Sequence, residues 1–313
     1  MNIQAQKPPC NTVKIGKYEI SGYWLAPMAG YTDIAFRTLC REEGAALTPT
    51  EMVSVRGLVH GNEATDKLMR TAECETPSCV QLFGNEPSDF ARAAPLLRCD
   101  IIDVNMGCPM PKIVKNGDGA ALLNDPERAG RIVAALVGSA DKPVTVKTRL
   151  GYGMNDARVF ELVQAVEEAG AAAVAVHGRY AEQRYAGAAD IDMVKAVAER
   201  AHIPVIANGD IDAGIATKLS GHMFATVMIG RAALSDPCVF GTRRASPLDI
   251  AHRHVRLLQR YFDERYTVNQ CRKFFVHYFK GVKGGKALRD AVNMAQSSSD
   301  VLRALDAFSQ NNR

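Results

Sequence analysis

Asp100-Ile101-Ile102-Asp103-Val104-Asn105-Met106-Gly107-Cys108-Pro109 joins a short apolar run to a polar loop that carries a thiol. The run reads as a buried strand, so Asn-Met-Gly-Cys-Pro falls in the loop at its carboxyl end. Ligands of parallel α/β folds gather at the carboxyl ends of the strands. Cys108 is therefore a candidate proton donor or nucleophile. A lone free Cys reads equally as a small buried hydrophobe, and the rest of the sequence has to separate the two.

Comparable runs recur at 24–26, 45–47, 80–83, 101–104, 144–146, 172–176, 205–207 and 226–229, each followed by helical spacing. Repeated βα units of this kind build a parallel sheet. Thr32 is placed to cap a helix over 33–43 that Gly44 ends. Asp125-Pro126 opens a helix over 127–137, and Asp156 opens one closed by Gly170. Eight such units in about 225 residues predict a closed (β/α)8 TIM barrel over 13–242, after a tail of residues 1–12. From Pro247 onward strand-like runs give way to amphipathic patterns over 250–265, 270–279, 281–295 and 300–308. These predict a small all-helical domain over 247–313, joined to the barrel at 241–247.

With 47% hydrophobic and 23% charged residues in 313, the composition is that of an ordinary globular protein. No apolar run approaches the ~20 residues that span a bilayer, and the start has no hydrophobic core of the signal-peptide type, so a cytoplasmic protein is expected. The eight Cys at 10, 40, 74, 79, 99, 108, 238 and 271 are scattered without the paired spacings of structural zinc sites, so reduced thiols and no metal are expected. The net charge of +4 is unevenly divided. Residues 241–313 hold 14 Lys and Arg against 6 Asp and Glu, a net of +8, which leaves −4 for the rest. A basic block of this kind suits a polyanion, nucleic acid first. A solvated helical face explains the same charge.

The strand runs end in polar residues: Pro27-Met28, Thr50-Glu51, Gly84-Asn85 with Gln81 inside its run, Asn105, Lys147, His177, Asn208-Gly209-Asp210 and Gly230-Arg231. A barrel brings these to one face, where its active site lies. Gly209-Asp210 and Gly230-Arg231 follow the last two runs, the usual place for a phosphate held by backbone N–H groups. Lys147 ends an apolar strand and needs an anionic partner to offset desolvation; a reduced flavin would meet that need. His177 could donate to a flavin carbonyl or a phosphate, and Gln81 offers a donor and an acceptor to such a ring.

Ala26-Pro-Met-Ala-Gly30-Tyr-Thr-Asp33, Val80-Gln-Leu-Phe-Gly84, Asp103-Val-Asn-Met-Gly-Cys-Pro109, Lys147-Thr-Arg149, Val176-His-Gly-Arg179, Ala207-Asn-Gly-Asp210 and Met228-Ile-Gly-Arg231 together resemble the tRNA-dihydrouridine synthases, closest to the bacterial B-type members. The likeness runs in order over about residues 14–240 and implies FMN as cofactor, NADPH or NADH as reductant, and tRNA as substrate and partner. It implies that Pro27, Met28 and Ala29 line FMN and that Gln81, Lys147 and His177 contact its ring or side chain. Asn208, Gly209, Asp210, Gly230 and Arg231 would hold the ribityl phosphate region. Cys108 matches the family's general acid and Asn105 a residue contacting the target uracil, while Arg272 and Lys273 match basic residues that face RNA. After Pro109 the chain departs from the family's Lys-Lys-Val by a Pro at 111. The chemistry expected is hydride delivery to uracil C6 and protonation of C5 by Cys108, a thiol being protonated at neutral pH where a carboxylic acid is not. Two rivals differ in class: an FMN barrel acting on a small molecule, like the dihydroorotate dehydrogenases, and an RNA-binding relative without activity.

Overall fold

The computed structural model describes residues 12–219 and 224–311; Cys10 and nearly all of the expected tail lie outside them. Val13, Ile15 and Ile20 alternate with polar neighbours about Gly16-Lys17, and the segment folds as an antiparallel hairpin of β1 (Thr12–Ile15) and β2 (Tyr18–Ser21). A two-residue connection with Gly16 at φ +58° matches the twist of such a pair. The next eight strands are β3 (Trp24–Leu25), β4 (Val53–Ser54), β5 (Cys79–Phe83), β6 (Ile101–Met106), β7 (Val144–Arg149), β8 (Ala173–His177), β9 (Val205–Asn208) and β10 (Thr226–Ile229). They form one parallel sheet in the order β3-β10-β9-β8-β7-β6-β5-β4 with helices between them, the expected (β/α)8 architecture. The second run differs from its expected form. Residues 45–47 give only a bridge from Leu47 to Trp24, with Leu25 N donating to Leu47 O at 2.8 Å, while pairing to β5 passes to Val53–Ser54. Between them Thr50 N donates to Cys79 O at 3.0 Å, so this polar stretch still bridges toward β5 and the barrel curls shut.

Side chains alternate between the two faces of each strand. Val80, Leu82, Ile102, Val104, Val144, Val146, Val174 and Val176 point outward into the main core under the helices. Trp24, Leu47, Cys79, Ile101, Ala173, Ile206 and Met228 form a second cluster with Val13, Ile15 and Ile20 of the hairpin. The hairpin therefore plugs the amino-terminal end, where the interior is apolar. The same inward parity continued toward the carboxyl ends gives Gln81, Asp103, Asn105, Lys147, His177 and Asn208, so polarity rises along the barrel axis. A cleft of about 680 Å³, lined by Gly16, Tyr18, Asp100 and Lys142, opens at the apolar end, away from these groups.

Helix entries follow side-chain caps, with two differences from the sequence expectation. Helix Ile34–Glu42 is capped by Asp33, which accepts from Phe36 N at 2.9 Å, because the Thr32 hydroxyl is engaged with Met28. The helix after Asp156 starts only at Val159, entered through Arg158 without a side-chain cap. Asp125 caps Pro126–Ser139 as expected. The carboxyl-terminal part is four helices, Pro247–Tyr261, Glu264–Tyr278, Gly285–Met294 and Ser298–Asn311. The pattern over 250–265 is broken at Phe262-Asp263, where Asp263 caps the second helix by accepting from Tyr266 N at 2.8 Å. Phe36 of the barrel packs against Phe274 (ring centroids 4.8 Å apart) and His254 (5.7 Å). Each such fully buried aromatic contributes about 1.5–3 kcal/mol. Buried Glu43 accepts from Arg253 and Arg243, so charge and apolar surface fix the same docking.

Candidate active site

Strand register sets the polar end of the barrel. Asn105 is level with Lys147 across β6 and β7, Arg149 with His177, and His177 with Asn208. At the end of β6 the Asn105 Oδ1 accepts from Gly107 N (3.2 Å) and Cys108 N (2.9 Å), which turns the chain and holds the thiol at the mouth. Cys108 O accepts from Ala120 N at 3.0 Å, and a side chain at Gly119, φ +60°, would meet that carbonyl at 2.8 Å. Pro111 opens the short helix Pro111–Val114 at its first position, where a missing N–H costs nothing, so the departure at 111 is absorbed locally. Burial pushes the half-buried Cys108 thiol above its ordinary value, against the Met110 amide, Arg149 and Lys147, which pull it down. It is a proton-bearing group at neutral pH.

Around it stands a cationic wall. Burial, reinforced by Arg149 and opposed by Asp103 and Cys108, pulls Lys147 down to about 8. Among the described residues no carboxylate hydrogen-bonds its ammonium. Arg149 donates to Gly107 O (2.8 Å), Tyr180 O (3.1 Å) and Arg184 O (2.8 Å), tying the Cys108 loop to the loop after β8. His177 is held far below its ordinary value by burial and by Lys147, Arg149, Arg179 and Arg231, so it is neutral. Arg179 Nη1 lies 3.2 Å from His177 Nε2; since a guanidinium only donates, Nε2 accepts and the ring proton sits on Nδ1. Asp210, at φ +51°, accepts from Arg179 and Arg231 and from Ala189 N at 3.1 Å. Gly209 at φ +118° presses against the His177 ring, 2.9 Å from where a Cβ would stand. Asn208 Nδ2 donates to Met228 O at 2.7 Å, fixing the last two strand ends together. Tyr185, 57% exposed, lies between the Arg149 and Arg231 guanidiniums at 5.6 and 5.5 Å.

The structure thus gathers Gln81, Asn105, Cys108, Lys147, His177, Asn208, Gly209, Asp210, Gly230 and Arg231 at one mouth. Pro27, Met28 and Ala29 follow β3 beside them, with Gly230 open toward Ala26 Cβ (3.5 Å) and Met28 Sδ (3.6 Å). An unpaired, half-buried ammonium, a neutral imidazole donor and glycine-bearing turns after β9 and β10 suit a flat anionic cofactor carrying a phosphate, as FMN is. Asp103, Arg149, Arg179 and Tyr185 join this site without standing out in the sequence. Asp103 stands two residues before Asn105, and that parity was its signal. Among the described residues no cluster of His, Cys, Asp or Glu is arranged to hold a metal, and no helix is long and apolar enough to cross a membrane.

Arg272 and Lys273 have partners inside the protein. Arg272 donates to Ala295 O (2.8 Å) and Asn269 Oδ1 (3.2 Å). Lys273 donates to Gly30 O and lies 3.7 Å over the Tyr31 ring, while Gly30 N donates to Glu51 Oε2 at 2.6 Å. Lys273 therefore latches the helical part to the loop after β3. A Lys273→Ala protein is expected to melt about 2–4 °C lower, the loss of one charge-assisted hydrogen bond and a cation–π contact in a half-buried setting. An unchanged thermal midpoint would remove the latch.

The family model for dihydrouridine synthase matches residues 24–313. A probable tRNA-dihydrouridine synthase of Rickettsia conorii is 36% identical over 319 residues, covering 95% of this chain and 96% of the relative. A tRNA-dihydrouridine synthase B of Proteus vulgaris is 33% identical, covering 96% and 99%. Among solved structures, a histamine dehydrogenase from Rhizobium sp. 4-9 superposes with a TM-score of 0.55 at 14% identity over 74% of this chain, and a 2-naphthoyl-CoA reductase with 0.59 at 10%. The chain spans about half the length of those two, and at such identity they share its fold alone.

Proposed function

This chain belongs to the dihydrouridine synthase family, and on that premise we propose that it reduces uridine in tRNA to 5,6-dihydrouridine, with FMN as cofactor and a nicotinamide nucleotide, NADPH or NADH, as reductant. The observation that carries the reading is the Cys108 loop, held by Asn105 at the barrel mouth beside Lys147 and Arg149, with burial pushing the thiol up.

FMN, when bound, supplies hydride to uracil C6. Charge then grows toward C5 and O4 of the base, and Cys108 Sγ gives its proton to C5. Asn105 uses one N–H and its oxygen inside the protein and keeps a second N–H for the uracil edge. Lys147 and the His177 Nδ1–H would hold the cofactor ring and support negative charge on it, and the neutrality of His177 keeps it a directional donor rather than a further cation. Gln81 keeps one N–H and one lone pair for that ring. Asn208, Gly209, Asp210, Gly230 and Arg231 bind the phosphate region, where Asp210 orients Arg231 and Arg179. Pro27, Met28 and Ala29 wall the ring, and Tyr185 offers a face to the extruded base. Turning a stacked uridine out of tRNA costs a few kcal/mol, which backbone contacts must offset.

Arg272 and Lys273 being engaged, exposed Lys280, Lys283 and Lys286 around the turn into Gly285–Met294 are the better source of those contacts. Replacing all three by Gln is expected to weaken tRNA binding and flatten its dependence on log[salt] by about 2–3 units, roughly one per lost phosphate contact. An unchanged slope places the RNA elsewhere.

The reading as a whole is tested by flavin content of the purified protein and by nucleoside mass spectrometry, with position mapping, on tRNA from cells with and without the gene. Bound FMN and loss of dihydrouridine at a defined position are expected. A protein that binds no FMN, or tRNA unchanged by deletion, sinks it.

A further inference from the structure

A directed chain of hydrogen bonds runs from the barrel interior to the thiol. Asp103 and Gln81 are register partners on β6 and β5, and Asp103 and Asn105 share the inward face of β6. The two oxygens of Asp103 accept from Thr145 Oγ1 (2.7 Å) and Gln81 Nε2 (2.7 Å). Gln81 Oε1 accepts from Asn105 Nδ2 (3.0 Å), and Asn105 Oδ1 accepts from the amides of Gly107 and Cys108. A carboxylate can only accept and a backbone N–H can only donate, so the two ends dictate the direction of both side-chain amides between them. Turning either amide over would set N–H against N–H at one joint and oxygen against oxygen at another.

We infer that Asp103 is a positioning residue for Cys108: its carboxylate fixes Gln81, Gln81 fixes Asn105, and Asn105 fixes the loop that aims the thiol. The inference rests on the proposed role of Cys108 as the acid, but the chain exists whatever the substrate. Without the acceptor at 103, Gln81 is free to turn over. Asn105 then follows, and its NH2 meets the two loop amides with no acceptor, so the loop shifts. Because Asp103, Thr145, Gln81 and Asn105 are buried, water competes little to hold the alternative.

Three variants of the FMN-loaded protein separate positioning from general support. Asp103→Leu keeps the branched four-atom skeleton, with bulkier methyls, and removes the acceptor. Asp103→Asn keeps the direction, its oxygen facing Gln81 and its NH2 meeting the Thr145 hydroxyl, which can accept. Thr145→Val leaves the Gln81 bond in place. Two readouts are taken: the rate at which iodoacetamide alkylates Cys108, followed by peptide mass spectrometry, and single-turnover reduction of tRNA with its KM. Asp103→Leu is expected to speed alkylation on the order of ten-fold and slow turnover on the order of 100-fold, the effect of a reacting group displaced by about 1 Å, with KM rising as the turned Asn105 loses its N–H to the uracil edge. Asp103→Asn and Thr145→Val should stay within about three-fold of the native protein on both. If Asp103→Leu does not retain FMN, Asp103→Ser, too short to reach Gln81, is put to the same test and must behave as described for Leu. Native alkylation in the acceptor-less protein, or an Asn variant as impaired as Leu, overturns the inference. Alkylation involves no RNA, so a native protein that leaves tRNA untouched would fail the functional reading while the chain from Asp103 is still decided.

Discussion

Replacing Cys108 by Ala is expected to leave a yellow, folded protein that consumes reductant but forms dihydrouridine some 10²–10⁴ times more slowly, the usual contribution of a positioned general acid. Flavin content should hold, because Cys108 belongs to the loop after β6, whereas the cationic and glycine-rich groups suited to the cofactor follow β7 to β10. Folding should hold too, since the loop is anchored through the Cys108 backbone, its N–H on Asn105 and its carbonyl on Ala120, and not through sulfur. The pH profile carries a second signature. Burial raises the thiol above its ordinary value, so the protonated form persists through neutral pH and the rate declines only on the alkaline side, where a carboxylic acid would have been lost at acid pH. Cys108→Ser, whose hydroxyl is a far weaker acid, should not restore the rate. The measurement is reoxidation of the reduced flavoprotein by tRNA without oxygen, with dihydrouridine read from the RNA. Turnover that survives in the Ala protein removes Cys108 from the mechanism.

The barrel was legible because its strands are buried on both faces and read as runs of Val, Ile and Ala. Its second strand was not, because the chain there is polar, Thr48 to Glu51, and pairs to either side through Leu47 and Val53 in separate pieces. The hairpin had a signal, the alternation of Val13, Ile15 and Ile20 about a two-residue Gly16-Lys17 turn, which the stronger barrel pattern overshadowed. In the helical part the break at Asp263 is masked by Phe262 and Tyr266, whose rings stack at 4.1 Å and continue the apolar spacing across the boundary. The site was legible at strand ends and opaque one layer below. Asp103 sits inside a run that reads as apolar, and only inward parity with Asn105 marks it. Arg272 and Lys273, which match the family's basic residues that face RNA, also bond to Ala295 and Gly30, partners that nothing in the sequence signals.

Lys147 makes the last expectation quantitative in pH. In the free protein its ammonium titrates at about 8, against an ordinary 10.5, because burial and Arg149 disfavour the charge more than Asp103 supports it. Between those two values the unfolded chain holds the proton and the folded one does not, so this group makes the FMN-free protein more stable as pH rises from about 8 toward 10.5. FMN affinity should move the opposite way. An anionic cofactor needs the ammonium, so binding weakens as pH climbs through about 8, and each molecule bound above that pH takes up a proton. Calorimetric titrations in buffers of different ionisation enthalpy would register that uptake. Lys147→Met fills the same space without charge. It should bind FMN about 10- to 100-fold more weakly at neutral pH, the loss of a charged hydrogen bond, and should show neither pH trend. Affinity in the native protein that is flat across this range, or a Met variant that binds as well as native, would mean that the cation serves the uracil and not the flavin. Asn105, its register partner on β6, would then share the substrate with it.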